Sequence, residues 1–153
     1  MGLQQELGLQ NPFKDIRHEA VLNVVRTATL LSHRAASLFR RSGLTEAQFN
    51  VLFSLKFSEG DVTQVQLGKR LVVTRASITS VLDKLEVKGL VARHKVAENR
   101  RIHHVALTPK GLVLVNDVEP TYREAIHAVL ADLTIHDCKH IIELLEKTRA
   151  RLR

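Results

Sequence analysis

The sequence has a single cysteine and no apolar run of membrane-spanning length. Cys138 has no second cysteine with which to form an intramolecular disulfide, which fits a reducing compartment. No segment approaches the roughly 20 apolar residues that span a bilayer. The amino terminus also lacks the basic segment and apolar stretch of a secretory signal. These absences predict a soluble protein of the cytoplasm with no membrane partner.

Motifs for enzymatic chemistry are also missing. The sequence shows no set of nucleophile, base and orienting group, no glycine-rich phosphate loop and no paired catalytic carboxylates. We therefore predict neither an enzyme nor a cofactor. The 153 residues suit one domain that buries its core without disulfides or metals, and a content of 44% hydrophobic and 25% charged residues is typical of globular chains.

Positive charge is concentrated in one segment. The chain has 23 Lys and Arg against 16 Asp and Glu, a net charge of +7. Residues 69–101 contain nine basic and three acidic residues and so hold +6 of that total. A confined basic patch is typical of nucleic-acid binding, where cations neutralise phosphates and release counterions. Charge alone leaves a solvated basic face as the alternative.

A long amphipathic helix is predicted near the start of the chain. Asn11 can cap it, Pro12 suits its first turn, and Ser42 with Gly43 ends it after Arg41. Its apolar and small residues follow three- and four-residue spacing: Ile16, Ala20, Val24, Ala28, Leu31, Ala35 and Leu38. This stripe is longer than a small domain can cover, so we expect part of it to contact another chain.

Two capping boxes open the next two helices. Thr45 with Gln48, and Thr63 with Gln66, have the spacing at which side chain and backbone bond reciprocally. We expect Gly60 to terminate the first of these helices and the second to end near Leu71. The hydrophobic staples would be Leu44 with Phe49 and Val62 with Leu67, and the core face of the first helix would be Phe49, Leu52, Phe53 and Phe57.

A fourth helix follows after a tight turn at Val72-Val73. Thr74 can cap it, and Lys88 with Gly89 ends it, so that Leu90 can pack back on Leu85. Its inward residues would be Ile78, Leu82 and Leu85. The pattern is that of a helix, a turn and a second helix.

The periodicity then changes from helical to alternating. Residues 91–96 and 102–107 predict a β-hairpin whose polar connector, residues 97–101, projects into solvent. Thr108 and Pro109 start another helix, and Thr134 caps a last one. Their stripes are Val115, Val118, Tyr122, Ile126, Val129 and Leu133, then Cys138, Ile141, Leu145, Thr148 and Leu152.

The helix after Thr74 has an outer face suited to reading DNA. In a helix-turn-helix the second helix lies in the major groove, and the beginning of that helix contacts base edges. The outward residues are Arg75, Ala76, Ser77, Thr79, Ser80 and Lys84, and Gly68 allows the bracing helix to approach closely. The basic hairpin tip could place Arg100 or Arg101 in the minor groove. The alternatives are a solvated helix surface and a charged turn with one arginine paired to Asp83 or Glu98.

These motifs, taken in order, resemble the MarR family. The matching residues are Leu44-Thr45-x-x-Gln48, Leu67-Gly68-x-x-Leu71-x-Val73-Thr74-Arg75, Ile78-Thr79, Leu82-Asp83-Lys84-Leu85-Glu86-x-x-Gly89-Leu90-Val91-x-Arg93, and Asn99-Arg100-Arg101 to Leu107-Thr108-x-x-Gly111. The resemblance spans about residues 44–111, and the flanking helices fit the family's layout. It departs from the pattern at Asn99, where an Asp usually steadies the wing through a salt bridge, and at Ser80, where Arg is common.

The resemblance implies a mainly α fold with a small β-hairpin wing (α+β), a winged helix-turn-helix core flanked by dimerisation helices. Residues 1–43 and 108–153 would form the intertwined dimerisation helices and residues 44–107 the DNA-binding lobe. The implied function is a homodimeric transcription regulator that represses by binding a pseudo-palindromic operator on double-stranded DNA. A small aromatic or phenolic acid would release this repressor from its operator. The predicted DNA-binding residues are Thr63, Gln64, Thr74, Arg75, Ala76, Ser77, Thr79, Ser80, Lys84, Arg93, Arg100 and Arg101.

Other chemistry stays open beside this interpretation. Cys138 at the start of the last helix could sense oxidation, although we expect it to be buried. His136, His140 and Glu143 have metal-ligand spacing on one helical face, but surface histidines are the simpler interpretation and we predict no metal site. His103 and His104 are adjacent on a strand, point oppositely and so cannot chelate together. A winged helix that binds protein or RNA is the other alternative.

Overall fold

The structure, a computed structural model, describes the backbone of residues 2–60, 62–71, 74–96 and 99–152. Within these ranges the side chains of residues 75, 95, 96 and 99–102 are not described. The turn predicted at Val72-Val73 and the Ala97-Glu98 part of the hairpin connector therefore lie outside the described residues. The chain divides into two compact units, Met1–Val115 and Asn116–Arg153.

The fold is mainly helical with one small antiparallel sheet, as expected. The elements in chain order are α1 (Leu3–Glu6), α2 (Ile16–Arg41), α3 (Glu46–Lys56), β1 (Val62–Thr63), α4 (Gln64–Arg70), α5 (Arg75–Val87), β2 (Val91–Val96), β3 (Asn99–Leu107), α6 (Pro109–Val129) and α7 (Ile135–Arg149). The helix α6 begins in the first unit and continues into the second. Within the described ranges, no helix combines the length and apolar character needed to cross a bilayer.

The sheet has three strands in the order β1-β3-β2, one more than the predicted hairpin. Val62 pairs with Val105 and Thr63 with His104, so the short β1 lines the free edge of β3. The hairpin prediction also began β3 too late, because Asn99 already pairs with Val96 across a register irregularity. The added pairing satisfies backbone groups that a two-stranded ribbon would leave exposed on β3.

The core of the first unit is made by α2 to α5 and the sheet, with Leu3 added from α1 and Val115 from α6. Phe39 stacks on Phe49 with ring centroids 4.3 Å apart, and both side chains are buried. The other buried apolar residues of this unit are Leu3, Leu44, Val51, Leu52, Leu55, Val62, Leu67, Ile78, Leu82, Leu85, Leu90, Val91, Val105 and Val115. The expectation that Phe57 belongs to this core is wrong. It caps the end of α3 and is 61% exposed.

The predicted start of the long helix is also wrong. The helix α2 begins at Ile16, and Asp15 caps it by accepting a 2.9 Å hydrogen bond from the Arg17 amide. A carboxylate cap satisfies an amide that lacks an intrahelical partner and complements the positive end of the helix dipole. The predicted end is confirmed, because α2 stops at Arg41 and Gly43 has a φ of 68°.

Local capping signals position α3, α4 and α5. The boxes at Thr45 and Thr63 both form, each with its glutamine three residues later. At the end of α5 the Leu90 amide donates to the Leu85 carbonyl at 2.9 Å while Gly89 has a φ of 68°, so the predicted glycine termination is confirmed. Gly60 also has a positive φ, but it lies four residues beyond Lys56, so α3 ends earlier than expected.

The second unit contains the end of α6 and all of α7. Thr134 caps α7 through a box with Asp137, and no side chain of α7 is buried. Cys138 is partly exposed and not buried as expected, because no layer of this unit covers the helix. Leu152 lies beyond the end of α7 at Arg149, so it does not extend the helical stripe as predicted.

Candidate nucleic-acid interface

The two helices of the predicted DNA-binding motif, α4 and α5, are held together by a side-chain hydrogen bond. Gln64, the first residue of α4, donates from Nε2 to Oγ1 of Thr79 on α5. Thr63 precedes it as the cap of α4, and its hydroxyl bonds to Gln66. The beginning of α4 therefore lies beside the middle of α5, which brings together three predicted site residues from two elements.

The outer face of α5 is polar and accessible. Ala76, Ser77, Ser80 and Lys84 are exposed, and Thr79 is half-buried beside Gln64. Ala76, Thr79, Ser80, Asp83 and Lys84 line a shallow open groove along this face. The opposite face is buried through Ile78, Leu82 and Leu85, as predicted. This division leaves hydroxyl, methyl and ammonium groups available to a partner.

Thr74 and Ser77 are engaged with each other at the start of α5. The Ser77 amide donates to Thr74 Oγ1 at 3.2 Å, and the two hydroxyl oxygens are 2.8 Å apart. Thr74 is therefore the N-terminal cap of α5. Both side chains are exposed, so they keep hydrogen-bonding capacity toward solvent or a partner.

The end of α5 is fixed from two sides by lysine ammonium groups. Lys88 Nζ donates to the Gly43 carbonyl at 2.6 Å, which joins the end of α5 to the turn between α2 and α3. Lys110 Nζ donates to the Lys88 carbonyl at 2.8 Å, and Thr108 Oγ1 donates to the Gly89 carbonyl at 2.7 Å. These bonds join the end of α5 to the turn before α3 and to the start of α6.

Arg93 on β2 is an ion-pair partner of α5. Its Nη2 donates to Oδ1 of Asp83, and its Nε lies 3.4 Å from Oε2 of Glu86. The Arg93 side chain is 17% exposed, whereas that of Asp83 is 57% exposed. Arg93 was predicted to contact DNA, and in this structure its guanidinium faces two carboxylates of the chain itself.

Sequence reasoning missed Asp83 and Glu86 as partners of Arg93. The signal was present, because they are two of only three acidic residues in the basic segment 69–101 and lie three residues apart on one helix. Sequence alone paired Asp83 with a wing arginine as the alternative to DNA contact. In the structure Asp83 does pair with an arginine, but the arginine is Arg93 at the base of the hairpin.

The three remaining predicted arginines are located by their backbone only. Arg75 is the first residue of α5, and Arg100 and Arg101 are the second and third residues of β3. Their side chains lie outside the described residues, so their DNA contacts stay predictions. Where the chain is described, no three or more His, Cys, Asp or Glu residues are grouped to hold a metal ion.

Relatives of known function decide the family. A family model described as the MarR family matches residues 42–102. The regulator "HTH-type transcriptional regulator MhqR" from Bacillus subtilis (strain 168) is 32% identical over 107 residues, which cover 70% of this chain and 73% of that protein. This chain belongs to the MarR family. Members of this family are transcription regulators and not enzymes, as the sequence predicted.

Solved MarR-family structures agree with this fold. The M. tuberculosis regulator MOSR, solved in complex with DNA, matches with a TM-score of 0.71 at 27% identity, covering 88% of this chain and 98% of that one. BpsR from Bordetella bronchiseptica, solved to explain regulation of its DNA binding by 6-hydroxynicotinic acid, matches with a TM-score of 0.70 at 27% identity, covering 83% and 98%. In this protein, α4 and α5 form the helix-turn-helix, and β2 with β3 forms the wing.

Proposed function

We propose that this chain is a sequence-specific DNA-binding transcription regulator that reads its operator with α5. The carrying observation is the outer face of α5, where exposed Ser80 and Lys84 flank half-buried Thr79 while the opposite face is locked into the core. A rigid helix with hydroxyl and cationic groups on its free face suits contact with base edges and phosphates in the major groove. The structure of MOSR in complex with DNA supports DNA binding by this chain.

The proposed operator contacts follow the predicted site residues. On α4 these are Thr63 and Gln64, on α5 they are Thr74, Arg75, Ala76, Ser77, Thr79, Ser80 and Lys84, and on the wing they are Arg93, Arg100 and Arg101. Arg93 is proposed to position the wing and not to contact the operator, because its guanidinium faces Asp83 and Glu86. Positioning of the wing by Arg93 is compatible with DNA contacts made nearer the hairpin tip.

A homodimer is part of the proposal. In the first unit α2 exposes six large apolar side chains, namely Ile16, Val21, Val24, Val25, Leu30 and Leu31. In the second unit the exposed set is Ile126, Val129, Leu130, Leu133, Ile135, Ile141, Ile142, Leu144 and Leu152. Apolar surfaces of this extent mark interaction sites, and a second copy that covers them would pair two lobes on a two-fold symmetric operator. Residues 1–43 and 108–153 would then be the dimerisation helices.

The direction of regulation and the class of effector are proposed from the relatives. We propose a repressor that acts in the cytoplasm, where it reaches its operator, and that a small aromatic or phenolic acid releases. Regulation of BpsR DNA binding by 6-hydroxynicotinic acid, an aromatic acid, supports this class of effector. A ligand that binds the free form better than the DNA-bound form shifts the equilibrium toward release.

Selection of enriched sequences from random duplex DNA at fixed salt tests the proposed function. We expect a pseudo-palindrome whose half-sites are centred about one helical turn, or 10 to 10.5 base pairs, or a multiple apart. Lys84→Ala should weaken binding to the selected duplex, whereas Lys147→Ala on α7 removes the same charge and should not. Absence of any enriched duplex, together with tight binding of structured RNA or a protein partner, would reassign the winged helix.

A further inference from the structure

The wing contains a pair of histidines on neighbouring strands that the proposed DNA interface does not use. His94 on β2 and His104 on β3 are directly paired in the antiparallel register. Directly opposed residues point to the same face of a sheet, and their Cβ atoms are about 4.5–5.5 Å apart. The two imidazoles therefore project side by side from one face of the wing.

The neighbouring pair shows which face this is. Arg93 pairs with Val105, and both side chains lie on the inner face, because Val105 is buried and Arg93 reaches the carboxylates of α5. Side chains alternate along a strand, so His94 and His104 lie on the outer face. His94 is exposed and His104 is partly exposed, so an ion from solvent can reach both rings.

We propose that His94 and His104 form a two-histidine binding site for a divalent transition-metal ion. Imidazole nitrogen is a preferred ligand of Zn²⁺, Ni²⁺ and Cu²⁺, with metal–nitrogen distances of about 2.0–2.1 Å for Zn²⁺. Two rings held side by side by paired backbones lose little entropy when they chelate one ion. Water completes the coordination, so the site binds metal reversibly from the outside of the wing.

His103 and a histidine pair on α7 are the neighbouring and alternative metal ligands to consider beside this site. His103 is next to His104, but it projects from the inner face, so it cannot join the same ion. His136 and His140 on α7 have the i, i+4 spacing that also favours chelation, and His140 Nδ1 lies 3.9 Å from Glu143. A test of the wing site must therefore remove this second pair first.

Calorimetric titration with Ni²⁺ tests the proposal. The protein is the untagged chain carrying His136→Gln and His140→Gln. Ni²⁺ suits imidazole, whereas thiolate ligands such as Cys138 select Zn²⁺ and Cu(I). We expect one equivalent per chain, reversed by a chelator. His94→Gln and His104→Gln should each weaken Ni²⁺ affinity by at least roughly 10- to 100-fold. Loss of a residue that only hydrogen-bonds a metal ligand already costs this much affinity. His103→Gln is the matched control and should leave the affinity unchanged.

The single variants distinguish chelation from other effects. Each variant should keep the metal-free melting temperature of the parent, and exposed His94 provides a substitution that does not disturb the core. Equal losses in His94→Gln and His104→Gln, with none in His103→Gln, support a shared ion. Unchanged Ni²⁺ affinity in either variant, or an equal loss in His103→Gln, overturns the proposal. DNA is absent from this experiment, so its result is independent of the proposed operator binding.

Discussion

Arg93 donates a hydrogen bond from Nη2 to Oδ1 of Asp83, and this contact joins the base of the wing to the middle of α5. Along the chain the wing follows α5 through the turn at Gly89, and the ion pair adds a side-chain attachment to the Thr108 hydrogen bond at that turn. Glu86 adds a second carboxylate one turn along the helix. We infer that the pair fixes the angle between wing and recognition helix.

The first prediction concerns this ion pair. Asp83→Asn removes a negative charge close to the proposed DNA surface, so electrostatics alone would strengthen DNA binding. If the pair positions the wing, the substitution should instead weaken binding to the selected operator several-fold and destabilise the protein by about 1 kcal/mol or less, because Asp83 is largely exposed. Gel shifts at one salt concentration measure the first effect. Asp117→Asn on α6 is the charge-matched control, and tighter binding by Asp83→Asn would contradict the positioning role.

The second prediction concerns Gly111 at the start of α6. Its amide donates to Thr108 Oγ1 at 3.0 Å, and a Cβ built at Gly111 would lie 2.0 Å from the Leu90 carbonyl oxygen. The obstacle is backbone that already bonds to the Thr108 amide, so it cannot move aside freely. Gly111→Ala should therefore destabilise the protein by about 1–3 kcal/mol or more. Urea unfolding measures this, and Gly2→Ala, whose Cβ meets nothing within 4 Å, should be neutral.

The third prediction is a pH dependence at the start of α7. Two hydrogen bonds from Thr134, from its hydroxyl at 2.6 Å and its amide at 2.9 Å, hold the pKa of Asp137 below the ordinary value of 3.8. Slight desolvation opposes these hydrogen bonds and raises the pKa, and the nearby His140 adds a still smaller lowering. A lowered pKa in the folded state stabilises the fold above the unfolded value, and this stability is lost as the pH falls through the folded pKa.

Asp137→Asn should remove this acid-dependent contribution. Helicity followed by circular dichroism from pH 6 downward should decline less steeply below about pH 4 in the variant than in the parent. Asp132→Asn, outside α7, should keep the parent's pH profile. Identical profiles for the parent and Asp137→Asn would show that the capping carboxylate does not stabilise α7.

The fourth prediction tests the proposed homodimer. Leu31 and His33 are both exposed and lie two residues apart on α2, so they face different sides of the helix. Leu31 belongs to the apolar stripe, and Leu31→Lys should dissociate the dimer at micromolar concentration and weaken operator binding with it. His33→Lys introduces the same side chain off the stripe and should keep both properties. Sedimentation measures the association state, and a wild-type monomer would reject the dimer outright.

Local signals in the sequence were sufficient to place most helices. The boxes at Thr45 and Thr63 and the glycine termination at Gly89 depend on residues within four or five positions, so the sequence displays them directly. Asp15 was overlooked because Asn11 and Pro12 form an equally good local signal. Choosing between two such caps depends on which start the rest of the fold favours.

Features that join distant segments could not be predicted in this way. The strand β1 is two residues long, and its pairing with β3 joins Val62 to Val105, more than forty positions apart. Likewise, the sequence predicted Arg93 as a DNA contact, and its pairing with Asp83 depends on the strand register that brings the two together. The residue types on this surface were therefore readable from the sequence, whereas the pairing of Arg93 with Asp83 and Glu86 required the structure.

The last prediction separates the recognition helix from the wing through Arg75, Arg100 and Arg101. Arg75 is the first residue of α5 and should meet base edges, whereas Arg100 and Arg101 lie early in β3 and should meet phosphates and the minor groove. Arg75→Ala should cost about 1–3 kcal/mol on the selected operator and relax preference at one position per half-site.

The wing double variant Arg100→Ala/Arg101→Ala should fail differently from Arg75→Ala. It should weaken binding to selected and scrambled duplexes alike, and the slope of log affinity against log salt should become shallower by about one for each phosphate that the wing no longer neutralises. Titrations of both duplexes at several salt concentrations measure the two slopes. Lys147→Ala with Arg149→Ala on α7 removes two positive charges that are not among the proposed DNA contacts and should keep the wild-type slope. A wild-type slope and unchanged nonspecific affinity in the wing variant would exclude the wing from DNA contact, and the wing would then be a surface for another partner.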